Sequence, residues 1–228
     1  MMKSMKNIIL TTAILTSLFI ITGCEYDNYK APESLLTGTV VYNGTAVGVR
    51  SGGCRLELWQ YGYPLRQKID IYIAQDGTFS ARLFDGNYKL VRLSGAPWPA
   101  NNTDSISVTV KGNTSVEVPV VPYFITKNET IIHDAGVITA TCTIEKLGTL
   151  NIQSLQLLVG RTALVDVNNN VQSTTVTTGL TDLSTPKTIT VTLNDAMKAR
   201  DYIFARIAVR TSGVTERYYS PVFKINLK

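Results

Sequence analysis

From residue 35 onward, apolar and polar residues alternate with a period of two in short stretches, and Gly, Asn and Asp break the pattern every eight to twelve residues. This is the repeat of strands with one buried face, joined by tight turns. Strands are predicted near 35–42, 55–61, 69–74, 78–84, 87–93, 105–110 and 114–120, then near 137–144, 153–160, 174–178, 188–193, 202–210 and 220–225. Asn43-Gly44, Asp76-Gly77 and Asp85-Gly86 stand where turns need residues that tolerate positive φ. The alternation pauses at Val121-Pro122-Tyr123, which predicts a boundary between two all-β domains, 35–121 and 122–228, each of a size for one β-sandwich core. In the second, Ile203, Ala205, Ile207 and Val209 share one inward face, Tyr218-Tyr219 reads as a strand pair, and 194–200 fits one helical turn. Tyr202, just after that polar corner, is placed to pin it through its hydroxyl, as in immunoglobulin-like domains.

The first 23 residues follow another rule. Lys3 and Lys6 precede an apolar run of 14 residues, Ile8 to Ile21, and Thr22-Gly23 precede Cys24. The run is too short for the roughly 20 residues of a membrane-spanning helix, so 1–23 reads as a removed secretory signal. Ile21-Thr22-Gly23-Cys24 resembles the lipobox of bacterial lipoproteins, with Cys24 as the lipidation site, because a thiol is the side-chain nucleophile that accepts diacylglycerol as a thioether. Each buried methylene contributes about 0.8 kcal/mol, so two or three acyl chains hold a protein on a membrane without a spanning segment. Residues 24–34 then form a tether whose start, Glu25-Tyr26-Asp27-Asn28-Tyr29, is similar to the acidic signals that route Bacteroidetes lipoproteins to the outer face of the outer membrane; the periplasmic face is the alternative.

Composition sharpens this picture in one respect. The formal charge of +5 loses two lysines with the leader, and the remaining basic residues form no run that would suit nucleic acid. Charged residues make up 17% of the chain, a low share consistent with many short Thr- and Val-rich strands. Cys54 and Cys142 fall in different predicted domains, and Cys142 alternates in register with Ile138, Ala140 and Ile144, which predicts a buried apolar residue in place of a disulfide partner.

Signals for catalysis are sparse. His133 is the sole histidine, lies near the predicted domain join and has no nucleophile elbow beside it. One His and two separated Cys do not supply a structural zinc set, so no metal or cofactor is expected. Asp166-Val167-Asn168-Asn169-Asn170 begins like a calcium loop, but Val171 stands where such a loop needs Gly and Thr177 where it needs a bidentate Glu. A polar hairpin turn is the simpler reading. No pair of acids stands out for glycoside hydrolysis, and the chain is read as a non-enzyme.

Aromatic residues offer the better lead to binding. Leu56 and Leu58 alternate inward, so Arg55, Glu57, Trp59 and Tyr61 share the opposite face. Sugars pack their C–H faces on flat rings while their hydroxyls bond to neighbouring charged and amide groups. Tyr63 continues into a Gly-Tyr-Pro turn, and Trp98, between Pro97 and Pro99, sits in a stiff loop suited to presenting its indole. Trp59, Tyr61, Tyr63 and Trp98 are therefore the candidate ligand-binding residues; the alternative for the two tryptophans is that they cover a sandwich edge or the domain interface.

Cys24-Glu25-Tyr26-Asp27-Asn28-Tyr29 with Ala31-Pro32, then Leu36-Thr37-Gly38, Leu58 to Tyr63, Asp76-Gly77-Thr78-Phe79, Gly86-Asn87-Tyr88 and Pro122-Tyr123 resembles a Bacteroidetes family of two-domain outer-membrane lipoproteins, domain of unknown function 3823. The likeness covers nearly the whole mature chain, and its motifs are turns and strand starts. It implies a first domain similar to the transthyretin-like or carboxypeptidase-regulatory sandwich and a second similar to an immunoglobulin or fibronectin type III sandwich. Genes of this family often lie beside starch-utilisation-type glycan uptake genes. The expected function is thus a surface lipoprotein, anchored to the membrane by its lipid, that binds polysaccharide or oligosaccharide or supports an outer-membrane transporter complex. The alternative is a structural or adhesive surface protein whose partner is another protein.

Overall fold

The period-two pattern is realised first in β1 (Ser34–Tyr42), where every second residue from Ser34 to Val40 is buried. In the computed structural model, which describes residues 30–62 and 67–228, β1 is the hub of the first sheet. It pairs antiparallel with β5 (Thr78–Leu83) and with the two-residue β2 (Thr45–Ala46) along one side, and parallel with β8 (Thr114–Pro119) along the other. The second sheet runs β4 (Lys68–Tyr72), β3 (Arg55–Gln60), β6 (Gly86–Arg92) and β7 (Asn101–Val110), all antiparallel. The turn joining β1 and β2 has Asn43 at φ 49° and Gly44 at φ 74°, the pair of positive φ values that makes Asn-Gly the preferred two-residue hairpin turn.

The remaining strands build a second sandwich. One sheet has the order β13 (Lys187–Thr192), β10 (Val137–Lys146), β9 (Phe124–Asp134). The other has the order β12 (Gln172–Val176), β11 (Ile152–Gly160), β14 (Tyr202–Thr211), and the far side of β14 is met by β15 (Tyr218–Tyr219) and β16 (Phe223–Asn226). A one-turn helix, α1 (Asp195–Lys198), joins β13 to β14, and Asn194 caps it by accepting the Met197 N–H at 2.9 Å. The protein is all-β, two β-sandwiches in series.

Most predicted strands stand within a few residues of their expected limits, but β9 was not among them. Its eleven residues lie at the edge of the sheet, mostly exposed after Thr126, and Asn128 takes φ 53°, so Thr-Lys-Asn-Glu-Thr has the composition of a loop. Backbone pairing with β10 across nine register positions makes it a strand. Tyr202 also departs from expectation. It is 39% exposed, edge-to-face with Phe204 at 5.8 Å and beneath the Lys224 ammonium at 4.2 Å, so it caps the end of β14 from outside and does not pin the corner.

The two sandwiches share one continuous apolar core. Arg206 of β14 is 1% exposed and reaches across the join. Its Nε donates to Ser220 O at 2.7 Å, one terminal nitrogen to Val49 O at 3.0 Å and the other to Gln75 O at 2.7 Å. Its guanidinium also stacks over the Tyr219 ring at 4.6 Å. Burial pulls it down to about 10, which leaves it charged at neutral pH. Around it, Tyr219 N–H donates to Gly48 O at 3.0 Å, Glu216 N–H to Gly95 O at 2.9 Å, and Tyr123 N–H to Pro97 O at 2.9 Å. Cys54 and Cys142 are free and buried in separate sandwiches, and burial pushes their thiols up to about 12 and about 11, so neither is a thiolate at neutral pH.

Candidate functional site

Strand alternation sets one face of the β4–β3–β6–β7 sheet outward. Leu56 and Leu58 are fully buried, so Arg55, Glu57 and Trp59 point away from the core. Pairing with β4 places Tyr72 opposite Arg55, Asp70 opposite Glu57 and Lys68 opposite Trp59. On the other side β6 sets Lys89 opposite Trp59.

These side chains form a connected chain of polar contacts. Trp59 Nε1–H donates to Glu57 at 3.3 Å, Lys68 donates to the other oxygen of Glu57 at 2.8 Å, and Arg55 meets Asp70 at 3.5 Å. Lys68 is also 3.4 Å from Asp70. The hydrogen bond to Glu57 holds Lys68 above its ordinary value, so the ammonium persists through the neutral range. With its N–H committed to Glu57, Trp59 is fixed in place on the sheet. At the two ends of this row Tyr61 is 53% exposed and Tyr72 59% exposed.

A cleft of about 470 Å³ opens on the same face. Arg55, Glu57 and Tyr72 form one side; Gly52-Gly53 and the segment from Leu93 to Ala96 form another; Thr215 and Glu216 of the second sandwich close it. Arg50 and Glu216 pair across the join at 2.5 Å and tie that last wall to the first sandwich. The volume lies in the range of small-ligand sites. Chemically, the arrangement offers exposed ring faces beside fixed donors and acceptors.

The structure separates the candidates named from the sequence. Trp59 and Tyr61 lie on the outer face as the alternation requires. Tyr63 and the lipidation candidate Cys24 lie outside the described residues. Trp98 is the correction: it is 2% exposed and belongs to the core, so it presents no indole to a ligand. The stiff Pro97-Trp98-Pro99 segment turns inward because Pro97 O accepts the Tyr123 N–H of the linker, which draws the loop against the join. Tyr72 went unnamed, although Ile71 and Ile73, both buried, imply its outward direction.

Other motifs resolve to local structure. His133 Nε2 accepts the Gly136 N–H at 3.1 Å and closes the β9–β10 turn. Asp166 accepts the N–H groups of Asn168 and Asn169 at 2.7 and 2.9 Å, an Asx turn that spends its carboxylate on the backbone. Among the described residues no group of three or more His, Cys, Asp or Glu gathers to hold a metal, and no helix is long and apolar enough to cross a membrane.

Comparison with known proteins places this architecture. A family model described as the N-terminal domain of a protein of unknown function, DUF3823, matches residues 34–121, and its companion C-terminal domain of unknown function matches 123–224. A DUF3823 family structure from Bacteroides ovatus is 36% identical over 86% of this chain and all of that one, with a TM-score of 0.81. One from Parabacteroides merdae is 32% identical with the same coverage and a TM-score of 0.79. A structure from Bacteroides uniformis described as a candidate carbohydrate-binding protein shares the fold at 18% identity, covering 86% of this chain and all of its own, with a TM-score of 0.73. No curated protein matches. With both family domains in order and both sandwiches superposing on solved members, the chain belongs to the DUF3823 family.

Proposed function

We propose that this protein is a non-catalytic surface lipoprotein that binds glycan on the outer face of its first sandwich and so supports polysaccharide capture at the outer membrane. The observation that carries the reading is the row Tyr61, Trp59, Tyr72 ending in the cleft beside Glu57 and Arg55. Ring faces receive the C–H faces of sugars, and the fixed polar groups receive their hydroxyls. The fold shared with the Bacteroides uniformis protein is compatible with this reading.

Affinity gels and calorimetry against a panel of neutral and acidic polysaccharides test it. At least one glycan retards the protein, and Trp59→Ala or Tyr72→Ala weakens that binding by roughly tenfold or more, the scale of losing a stacked aromatic contact. No retardation by any member of the panel overturns the proposal. The alternative, a protein partner met through an exposed strand, is favoured by the sheet-edge position of β9, on which Ile132 is 60% exposed. Co-purification of a membrane protein without any glycan binding selects it.

Lipid attachment at Cys24 is tested separately. Cys24→Ala abolishes lipid labelling and releases the protein from the membrane fraction; retention of the unlabelled variant in that fraction overturns the anchor.

A further inference from the structure

A second feature lies on the other sandwich. β14 and β15 pair Ala208 with Tyr219 and Val209 with Tyr218, and the same register extended by one residue sets Arg210 opposite Arg217. Both arginines fall on the outward side with Ala208 and Tyr219, while Val209 and Tyr218 belong to the core. Ser154 on β11, 5% exposed, is opposite Arg210 and completes a row of three donors.

Among the described residues no acid pairs with either of these two arginines. Among the described residues neither makes a hydrogen bond or an ion pair, and the Nε of each is buried without a partner. Glu216, the adjacent acid, is held by Arg50 through two contacts at 3.2 and 2.5 Å. Asp166 is buried and bound to backbone N–H groups. Burial lowers Arg217 below the ordinary guanidinium value, and the charges of Arg210 and Arg50 add to this, while Tyr219 and the charge of Glu216 offset part of it. Like charges in cross-strand register are destabilising, and a guanidinium does not shed its proton to escape. The row therefore combines two guanidinium forks that make no ion pair with two unmade hydrogen bonds, at an energetic cost that an incoming anion would remove.

We propose that Arg210 and Arg217, with Ser154 beside them, form a site for a single oxyanion of carboxylate or sulfate type. Planar forks of this kind bind such groups through paired, charge-assisted N–H···O contacts. Resting on the glycan reading proposed above, the source is an acidic sugar, as the carboxylate of a uronic acid or the sulfate ester of a sulfated glycan. The site stands on its own residues, so it holds whether or not the Trp59 face binds a neutral chain.

The test is calorimetry and thermal melting of the folded protein with sodium sulfate and with sodium glucuronate, at an ionic strength kept constant with chloride. At least one anion binds saturably and raises the melting temperature, and Arg210→Gln and Arg217→Gln each weaken that binding by roughly tenfold or more. Without anion, R217Q melts above the wild type because the repulsion is gone. Binding of sulfate alone identifies a sulfate ester as the group read, and binding of glucuronate alone identifies a uronate. Binding of neither anion overturns the site, as does wild-type affinity in both variants. A lower melting temperature of R217Q in the absence of anion also overturns it, since Arg217 would then have a partner within the chain.

Discussion

Arg206→Ala lowers the free energy of unfolding by about 3–5 kcal/mol, within the range expected when three carbonyls each lose a donor at about 1–3 kcal/mol apiece. The loss comes from what remains. Ser220 O, Val49 O and Gln75 O each lose their donor at the join. The Tyr219 ring also loses the guanidinium packed over it. Arg206→Lys recovers little, because a single ammonium on a flexible stem does not span three carbonyls lying in different directions. Urea denaturation followed by tryptophan fluorescence measures both variants. A loss below about 1 kcal/mol for the alanine variant, the net contribution of one ordinary hydrogen bond, would contradict the role assigned to Arg206.

Trp98→Ala has the second large effect, about 3–5 kcal/mol of stability, the range for deleting a large aromatic side chain from a core. At 2% exposure the indole leaves a cavity when removed, and its position near the linker prevents easy collapse. Its Nε1–H has no partner among the described residues, so Trp98→Phe, which removes that unpaired donor with much of the volume kept, recovers more than half of the loss. The decisive contrast is with binding. At a temperature where Trp98→Ala remains folded, its affinity for any glycan matches wild type, whereas Trp59→Ala keeps its stability better and loses affinity. Denaturation and affinity gels on the same two variants separate the roles.

The two tryptophans show where sequence reasoning reaches and where it stops. Trp59 sits inside a strand, and a strand's alternation assigns each residue to one of two faces, so Leu56 and Leu58 being apolar is enough to turn Trp59 outward. Trp98 sits between prolines outside any strand, where no periodicity assigns a face. Its direction depends on a hydrogen bond from Tyr123, a partner 26 residues away from Pro97 that local pattern does not see. β9 was hidden for a related reason: an edge strand buries little, so its residues need not alternate, and pairing with β10 is visible only in three dimensions. The cleft was half legible. Arg55 and Glu57 follow from the β3 pattern, while Thr215 and Glu216 come from the other sandwich, and it is the join between the two, including the Arg50–Glu216 pair and the Glu216 N–H to Gly95 O bond, that brings them near.

That shared wall has a consequence for how the family's members can diverge. A truncation after residue 121 keeps Trp59, Tyr61 and Tyr72 but removes Thr215 and Glu216, so the pocket's shape is inherited from neither half alone. Exchange of one half between relatives would carry the aromatic row intact into a pocket with a foreign rim. If the cleft takes a ligand as proposed, new preferences in this lineage should therefore arise by paired changes in loops more than a hundred residues apart, the 52–53 turn on one side and the 215–216 turn on the other.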